Sequence, residues 1–311
     1  MYNRFFLAKG VYGLLILVLC SSCFPDDFFG GSPKSKRVFT VIGQGFPAND
    51  GLFVDSDGTL FASDFGNFDS DLNKYDGTTV YQVSKRGKIT EAASGFEAPM
   101  GSTKDRKGNL YFNTENNNDA VSGILVKVAP DGSSSAVAEI PGWPSGVTID
   151  KDQTIYVANF FAPTVHKVKP DGSISVLARD DRLFGCVGID VDDEGNIITA
   201  NFFTADILKI TPEGEVSLIA TVPNTTQGFA IGYMTLFEGH IYATGIGQNV
   251  IYKVSFDGSS EIFAGTGSEG SEDGKLHEAT FSLPNGIAAD HNRRILYISQ
   301  FGEPALRAIK F

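Results

Sequence analysis

Amide residues followed by phenylalanine recur along the chain and have the chemistry of a ligand site. Asn159-Phe160-Phe161 and Asn201-Phe202-Phe203 have the same order, and Asp64 and Gln300 are each followed by one phenylalanine. Around a channel mouth, such pairs would place hydrogen-bonding groups above apolar walls, as ligand sites do. Core packing is the alternative for one ring of each adjacent pair, because successive strand side chains point to opposite faces. The predicted ligand-binding residues are Asp64, Glu115, Asn159, Phe160, Asn201, Phe202 and Gln300.

Two enlarged polar loops carry acids that could hold calcium. Asp69, Asp71 and Asn73 alternate as in an EF-hand, but Lys74 and Val80 occupy the places of its glycine and its bidentate glutamate. The EF-hand template therefore fails. A looser calcium site, or two solvated polar loops, are the alternatives that remain for the acids Asp69, Asp71, Glu115 and Asp119.

The histidines and serines give little support to acid–base or nucleophilic catalysis. A general base must come within hydrogen-bond reach of the proton that it removes. His240 and His291 fall in predicted turns on the face opposite the aromatic residues, and His166 falls within a strand, so only His277 could approach a pocket. No Ser-His-Asp set or nucleophile elbow is apparent in the sequence.

A repeated unit determines how these residues are positioned. Each copy has a glycine nine residues before an apolar position, with an acidic or glycine turn between two apolar runs. The copies follow one another at intervals of about 42 to 55 residues, which with several strands per unit is typical of a β-propeller. The six opening glycines are Gly51, Gly101, Gly146, Gly188, Gly232 and Gly286.

The two ends of the chain are predicted to close the ring. Two further strands complete the first five units, but the sixth unit lacks its fourth strand because the sequence stops at Phe311. A spare strand, 38–42, lies before the first unit. Pairing it with the last blade would remove the exposed edges that invite aggregation. We therefore predict an all-β, six-bladed β-propeller of four-stranded blades over residues 38–311, closed by the N-terminal strand.

The repeat resembles the NHL-repeat and gluconolactonase/regucalcin-like propellers. Residues 262–290 are similar to the linker and opening of an NHL repeat, and the Asp-x-x-Gly-x-Leu-Tyr hairpins are similar to both groups. The gluconolactonase resemblance implies a divalent metal, Ca²⁺ in the first place, held by Glu, Asn and Asp at the opening positions. Asp50 and Asn285 match that pattern in kind. Three further opening positions depart from it, and they hold Met100, Val187 and Ile231.

The N-terminus predicts export. Arg4 and Lys9 precede an apolar run over 11–20, which is too short to span a bilayer core of about 30 Å. Ser21-Ser22-Cys23 resembles the cleavage site of a bacterial lipoprotein, so that 1–22 is a signal peptide, Cys23 carries the lipid and 23–37 is a flexible tether. Cys20 departs from the leucine usual there, and cleavage before Cys20 is the rival frame. We expect attachment to the cell envelope, with the outer membrane favoured, on its periplasmic or surface side.

Charge and cysteine content limit the partners. The chain carries a net charge of −12, and loss of the signal removes two positive charges, which argues against nucleic acid or an anionic membrane surface as a partner. The membrane would then be reached only through the lipid. Of three cysteines, only Cys186 would remain unmodified, so the mature domain has no disulfide.

Three functions follow from these features. The first is an envelope lipoprotein that binds a small molecule, glycan or peptide at the centre of one propeller face. The second is a metal-dependent, gluconolactonase-like hydrolase of a lactone or ester, with Asp50 and Asn285 as ligands and a metal-bound water or Glu115 as base. The third is a structural scaffold for protein assembly.

Overall fold

The computed structural model describes residues 36–115, 121–223 and 228–311. The signal peptide, Cys23, nearly all of the predicted tether and Asp119 lie outside these ranges. Among the described residues, no helix has the length and hydropathy needed to cross a membrane.

Six antiparallel sheets form the blades, and in blades 1 to 5 the four strands follow chain order from the innermost strand outwards. The first strand of the chain, β1 (Arg37–Ile42), belongs to the last blade. Blade 1 contains β2 (Leu52–Val54), β3 (Leu60–Ser63), β6 (Thr79–Val83) and β7 (Ile89–Ser94), with a small hairpin of β4 (Phe68–Asp69) and β5 (Lys74–Tyr75) inserted before β6.

Blades 2 and 3 repeat the pattern of four strands, and their described residues contain no inserted hairpin. The strands of blade 2 are β8 (Ser102–Lys104), β9 (Leu110–Thr114), β10 (Ser122–Val128) and β11 (Ser134–Pro141). Those of blade 3 are β12 (Pro144–Ile149), β13 (Ile155–Asn159), β14 (Thr164–Val168) and β15 (Ile174–Arg179).

Blades 4 and 5 each have a short 3-10 helix at one end of the sheet, Asp181–Leu183 and Ile246–Gln248. The strands of blade 4 are β16 (Cys186–Val191), β17 (Ile197–Asn201), β18 (Asp206–Ile210) and β19 (Val216–Thr221). Those of blade 5 are β20 (Ile231–Phe237), β21 (His240–Gly245), β22 (Val250–Val254) and β23 (Ser260–Ala264).

Blade 6 confirms the predicted closure of the ring. It contains β25 (Pro284–Asp290), β26 (Ile295–Gln300) and β27 (Leu306–Lys310), and β27 pairs antiparallel with β1, Val38 opposite Ile309. A feature absent from the prediction is β24 (Gly274–Lys275), which pairs with the outer edge of β1. This short fifth strand covers backbone groups that an edge strand would otherwise expose.

The opening glycines are required because the innermost strands of neighbouring blades touch there. A Cβ atom on Gly146 would lie 2.2 Å from the carbonyl oxygen of Val187, and one on Gly286 would lie 2.2 Å from the carbonyl oxygen of Asp50. Real Cβ atoms do not approach backbone so closely, so any larger residue would force the blades apart. The glycine spacing found in the sequence is thus a packing requirement of the ring.

In several blades, a side chain forms a hydrogen bond to the opening position of the neighbouring blade. These bonds run from the end of the second strand of one blade to a backbone carbonyl of its neighbour. Their lengths are 2.7–2.9 Å in Ser63 Oγ to Met100 O, Asn113 Nδ2 to Ser145 O, Thr244 Oγ1 to Asn285 O and Ser299 Oγ to Asp50 O. They hold the opening residues, and therefore the floor of the central cavity, in fixed positions.

Candidate functional site

A cavity of about 300 Å³ lies at the end of the central channel where the innermost strands begin. Its floor contains residues from the opening positions, among them Asp50 and Asn285, and its walls are mainly aromatic. Among the described residues, the lining contains no lysine, arginine or histidine. It is formed by Asp50, Phe65, Asn67, Phe68, Tyr75, Met100, Trp143, Phe160, Val187, Phe202, Phe229, Ile246, Asn285 and Phe301.

The aromatic side chains form a continuous arc around the cavity. The ring centroids of Phe65 and Trp143 lie 6.2 Å apart, those of Trp143 and Phe160 5.8 Å, and those of Phe160 and Phe202 5.4 Å. Phe202 and Phe229 continue the arc at 5.3 Å. Such tilted and edge-on contacts are the favourable geometry for aromatic pairs, so the rings pack into one continuous wall.

The repeat itself places most of these rings. In five blades, a residue that lines the cavity follows the end of the second strand, directly in four of them and one residue later in blade 1. These residues are Phe65, Phe160, Phe202, Ile246 and Phe301. In blade 2 the equivalent position is Glu115, which is exposed. Phe160 and Phe202 face the cavity, whereas Phe161, next to Phe160, is 44% exposed on the outer rim.

Asp50 is the buried acid of the floor. Asp50 is only 4% exposed, and Tyr233 Oη donates a hydrogen bond to its Oδ1 at 2.6 Å. Asn285 Nδ2 donates to its Oδ2 at 3.1 Å. Burial raises the pKa of Asp50 from 3.8 to about 6, although these hydrogen bonds favour the ionised form. The carboxyl is therefore mostly ionised at neutral pH.

Tyr233 crosses the channel beneath the cavity. It lies on β20 of blade 5, reaches Asp50 of blade 1, and its hydroxyl accepts a hydrogen bond from the backbone N–H of Gly101 at 3.2 Å. Burial, followed by the charge of Asp50, raises the pKa of Tyr233 well above its ordinary value, so that it stays a neutral donor. Tyr233 thus closes the channel and fixes the orientation of the Asp50 carboxylate.

A second acid adds negative charge near the floor. Burial, followed by the charge of Asp76, raises the pKa of Asp64 to about 6, and the charge of Asp50 contributes. Among the described residues, neither Asp50 nor Asp64 forms an ion pair with a basic side chain. Asp64 lies outside the cavity lining. Within the described part of the chain, the cavity is consequently an apolar space whose floor carries a negative charge without a basic partner.

The structure places the three amides that were predicted to bind ligand behind the aromatic rings. The side chain of Asn159 accepts from Trp143 N at 3.0 Å and donates to Pro141 O at 2.6 Å, so it braces the connection that carries Trp143. Asn201 and Gln300 bind backbone groups in the same manner. The three amides are fully buried and absent from the lining, because they satisfy the turns behind the aromatic residues. They position the rings.

The described acids of the enlarged loops, Asp69, Asp71 and Glu115, do not form a three-ligand cluster. The Asp69 carboxylate accepts from the backbone N–H groups of Asp71 and Leu72 at 2.9 and 3.1 Å, and so stabilises its own turn. Glu115 is exposed, and Asp119 lies outside the described residues. The hairpin β4–β5 instead brings Tyr75 over Phe65, with ring centroids 3.9 Å apart. Within the described ranges, no group of three or more His, Cys, Asp or Glu side chains is placed to hold a metal ion.

The family-type metal site does not fit these residues. The structure does bring Asp50 and Asn285 together across the junction of blades 1 and 6, but it turns the amide N–H of Asn285, and not its oxygen, towards Asp50. Met100 and Val187 supply the next lining positions of the floor. A hard cation requires six or more oxygen ligands, and this floor offers too few.

Several residues of the site were not predicted from the sequence, and three of them are important for its geometry. Trp143 lies in the connection between β11 and β12, Tyr75 in the inserted hairpin, and Tyr233 two residues after an opening position. Trp143 carried one available signal, because it is the only tryptophan of the chain and lies three residues before an opening glycine. Nothing in the sequence indicates that Tyr233 reaches a residue 183 positions away.

Known structures share the fold. The chain is similar to virginiamycin B lyase from Staphylococcus aureus (TM-score 0.63, 16% identity, 89% of this chain and 99% of that chain). It is also similar to an auxiliary nutrient binding protein from Bacteroides thetaiotaomicron (TM-score 0.72, 14% identity, 89% of this chain and 76% of that chain). The third similar structure is a gluconolactonase from Xanthomonas campestris, with a TM-score of 0.64 and 14% identity over 90% of each chain. No protein-family model and no curated protein matches the sequence. At these identities the similarity shows the propeller fold alone.

Proposed function

We propose that the protein binds a small molecule, or the apolar end of a larger ligand, in the aromatic cavity at the centre of the propeller. The observation that carries this proposal is the arc of rings from Phe65 to Phe229 around a space of about 300 Å³. Concave, mostly apolar cavities with a few placed polar groups are typical of small-molecule sites. The tight braces behind the rings, such as Asn159 behind Trp143, support a preformed site.

The side chains of the cavity favour binding over hydrolysis. Among the described lining residues, no serine, threonine, cysteine or histidine is available as nucleophile or base. Both oxygens of Asp50 already accept hydrogen bonds, from Tyr233 and Asn285. The similar folds include a nutrient binding protein as well as a lyase and a gluconolactonase, so the fold is compatible with binding and does not decide between these functions.

A neutral dye tests the pocket directly. We expect 1-N-phenylnaphthylamine to bind with a rise in its fluorescence, and to accept energy from Trp143, the only tryptophan of the chain and part of the wall. Phe160→Ala removes the central ring of the arc, and we expect it to weaken dye binding roughly tenfold because apolar contact area is lost.

The matched control is Phe184→Ala. Phe184 is 45% exposed on the same side of the molecule, near Phe203, but lies outside the cavity lining. We expect its replacement to leave dye affinity unchanged. Equal weakening in both variants, or dye binding without energy transfer from Trp143, would count against a ligand site in this cavity.

We further propose that the chain is an exported lipoprotein anchored through Cys23. Arg37 pairs with Lys310, which also pairs with Ile295, and these residues lie at the end of blade 6 opposite Asn285. The chain therefore enters the propeller on the side away from the mouth of the cavity. In a bacterial host, labelling with radioactive palmitate should be lost in Cys23→Ala and kept in Cys20→Ala. The reverse pattern would favour the rival cleavage frame.

A further inference from the structure

The floor and walls of the cavity together indicate the charge of the ligand. We propose that the cavity recognises an organic cation, an alkylated or quaternary ammonium group that lies against the aromatic arc above the carboxylate of Asp50. This inference rests on the proposed function, because it names the class of ligand that the same cavity takes.

The carboxylate of Asp50 lacks a charge partner among the described residues. Asp50 is 4% exposed and, among the described residues, has no basic partner, and Asp64 adds negative charge nearby. A buried charge is unfavourable unless an opposite charge compensates it. The hydrogen bonds from Tyr233 and Asn285 orient the carboxylate but leave its charge in place. A positively charged ligand would supply the missing counter-ion.

The aromatic walls of the cavity are also suited to a cation. Cations are attracted to the faces of Trp, Tyr and Phe rings within about 6 Å of the centroid, and cages of such rings recognise quaternary ammonium groups. Tyr75, Trp143 and Phe65 lie mutually within 6.2 Å, and Phe160 lies 5.8 Å from Trp143. A purely apolar ligand would use these walls equally well, but it would leave Asp50 uncompensated.

A metal ion is the competing cation. It would also be attracted to Asp50, but it requires a shell of oxygen ligands that Met100, Val187 and the aromatic walls do not provide. An alkylated ammonium group needs no such shell, because its charge is spread over apolar surface. The mixture of one carboxylate with many rings therefore favours an organic cation over Ca²⁺.

The test compares two probes of the same shape. Benzyltrimethylammonium carries a permanent charge, and neopentylbenzene is its uncharged carbon isostere. Their affinities are measured on the full chain by quenching of Trp143 fluorescence and by displacement of 1-N-phenylnaphthylamine. We expect the cation to bind about tenfold more tightly than the isostere, as a few favourable cation–ring contacts and one charge partner would give.

Two variants assign the preference to its sources. Asp50→Asn should reduce the preference for the cation to within about threefold while neopentylbenzene still binds. Phe160→Leu keeps an apolar wall but removes the ring face, and it should weaken the cation more than the isostere. The second variant keeps the test valid if Asp50→Asn does not fold.

The outcomes separate the two proposals. If the dye and neopentylbenzene bind but the cation binds no more tightly, the binding function stands and the cation inference fails. An unchanged preference in both variants, or full displacement of the cation by equimolar Ca²⁺, would also overturn the inference. If neither the dye nor either probe binds, the proposed function itself fails.

Discussion

Replacing Arg307 by alanine is expected to lower the free energy of unfolding by about 4 kcal/mol, through lost hydrogen bonds and the cavity left behind. Arg307 lies on β27 and is fully buried. Its guanidinium donates to the carbonyl oxygens of Thr280 and Glu272, each at 3.0 Å, and to the side chains of Gln300 and Asp273. Without it, both carbonyls would lose a donor, although the oxygen of Glu272 would still accept from the backbone N–H of Thr280 at 3.1 Å.

Arg307 lies next to the strand pairing that closes the ring, so its replacement should weaken that closure. Asp273 also accepts from Thr40 Oγ1 of β1 at 2.9 Å, and the neighbouring strand β24 pairs with the edge of β1. Arg307 therefore ties the segment before blade 6 to the strand that closes the propeller. We expect residues near β1 to lose hydrogen-exchange protection first in the Arg307→Ala variant.

Two controls apply to the measurement, which is urea unfolding followed by circular dichroism. Arg307→Lys should recover less than half of the loss, because one ammonium group cannot reproduce the planar fork that serves several acceptors. Arg182→Ala removes an arginine that is paired with Asp180 on the surface, at 2.6 Å, and should cost at most about 1 kcal/mol. Similar losses for Arg182 and Arg307 would show that the buried network adds no stability.

The six-bladed ring could be predicted from the sequence because the contacts between neighbouring blades recur in every repeat. Each opening glycine marks a contact between innermost strands, and the spare strand 38–42 matched the missing one. The adjacency of Asp50 and Asn285 followed from closure alone. These features depend on strand order and spacing, which a repeat carries six times over.

The chemistry of the site depended on contacts that no repeat carries. The amides Asn159 and Asn201 looked like rim donors, but in the structure they are consumed by the turns behind them. Tyr233 reaches across the channel to Asp50, and the burial of Arg307 requires the segment before blade 6 to fold over it. Such long-range polar pairs have no period in the sequence, and so they could not be predicted from it.

The stability of the propeller is expected to depend on pH through Asp50. The folded pKa of this carboxyl, about 6, lies above its ordinary 3.8. The folded state therefore binds the proton of Asp50 more tightly than the unfolded state does. The stabilisation that this protonation gives is full below pH 4 and is lost as the pH rises through 6. Relative to Asp50→Asn, the wild type should lose about 2 kcal/mol of unfolding free energy between these limits.

Urea unfolding of both proteins between pH 4 and pH 7 measures this difference. Asp64 also titrates in the window, but both proteins contain it, so most of its contribution cancels. A difference that stays flat would show that the Asp50 carboxylate is not destabilised by burial. Benzyltrimethylammonium extends the test, because a ligand that binds only the ionised carboxylate must stabilise the wild type more at pH 7 than at pH 4. A neutral occupant would raise stability equally at both values, and the cavity would then select its ligand by shape alone.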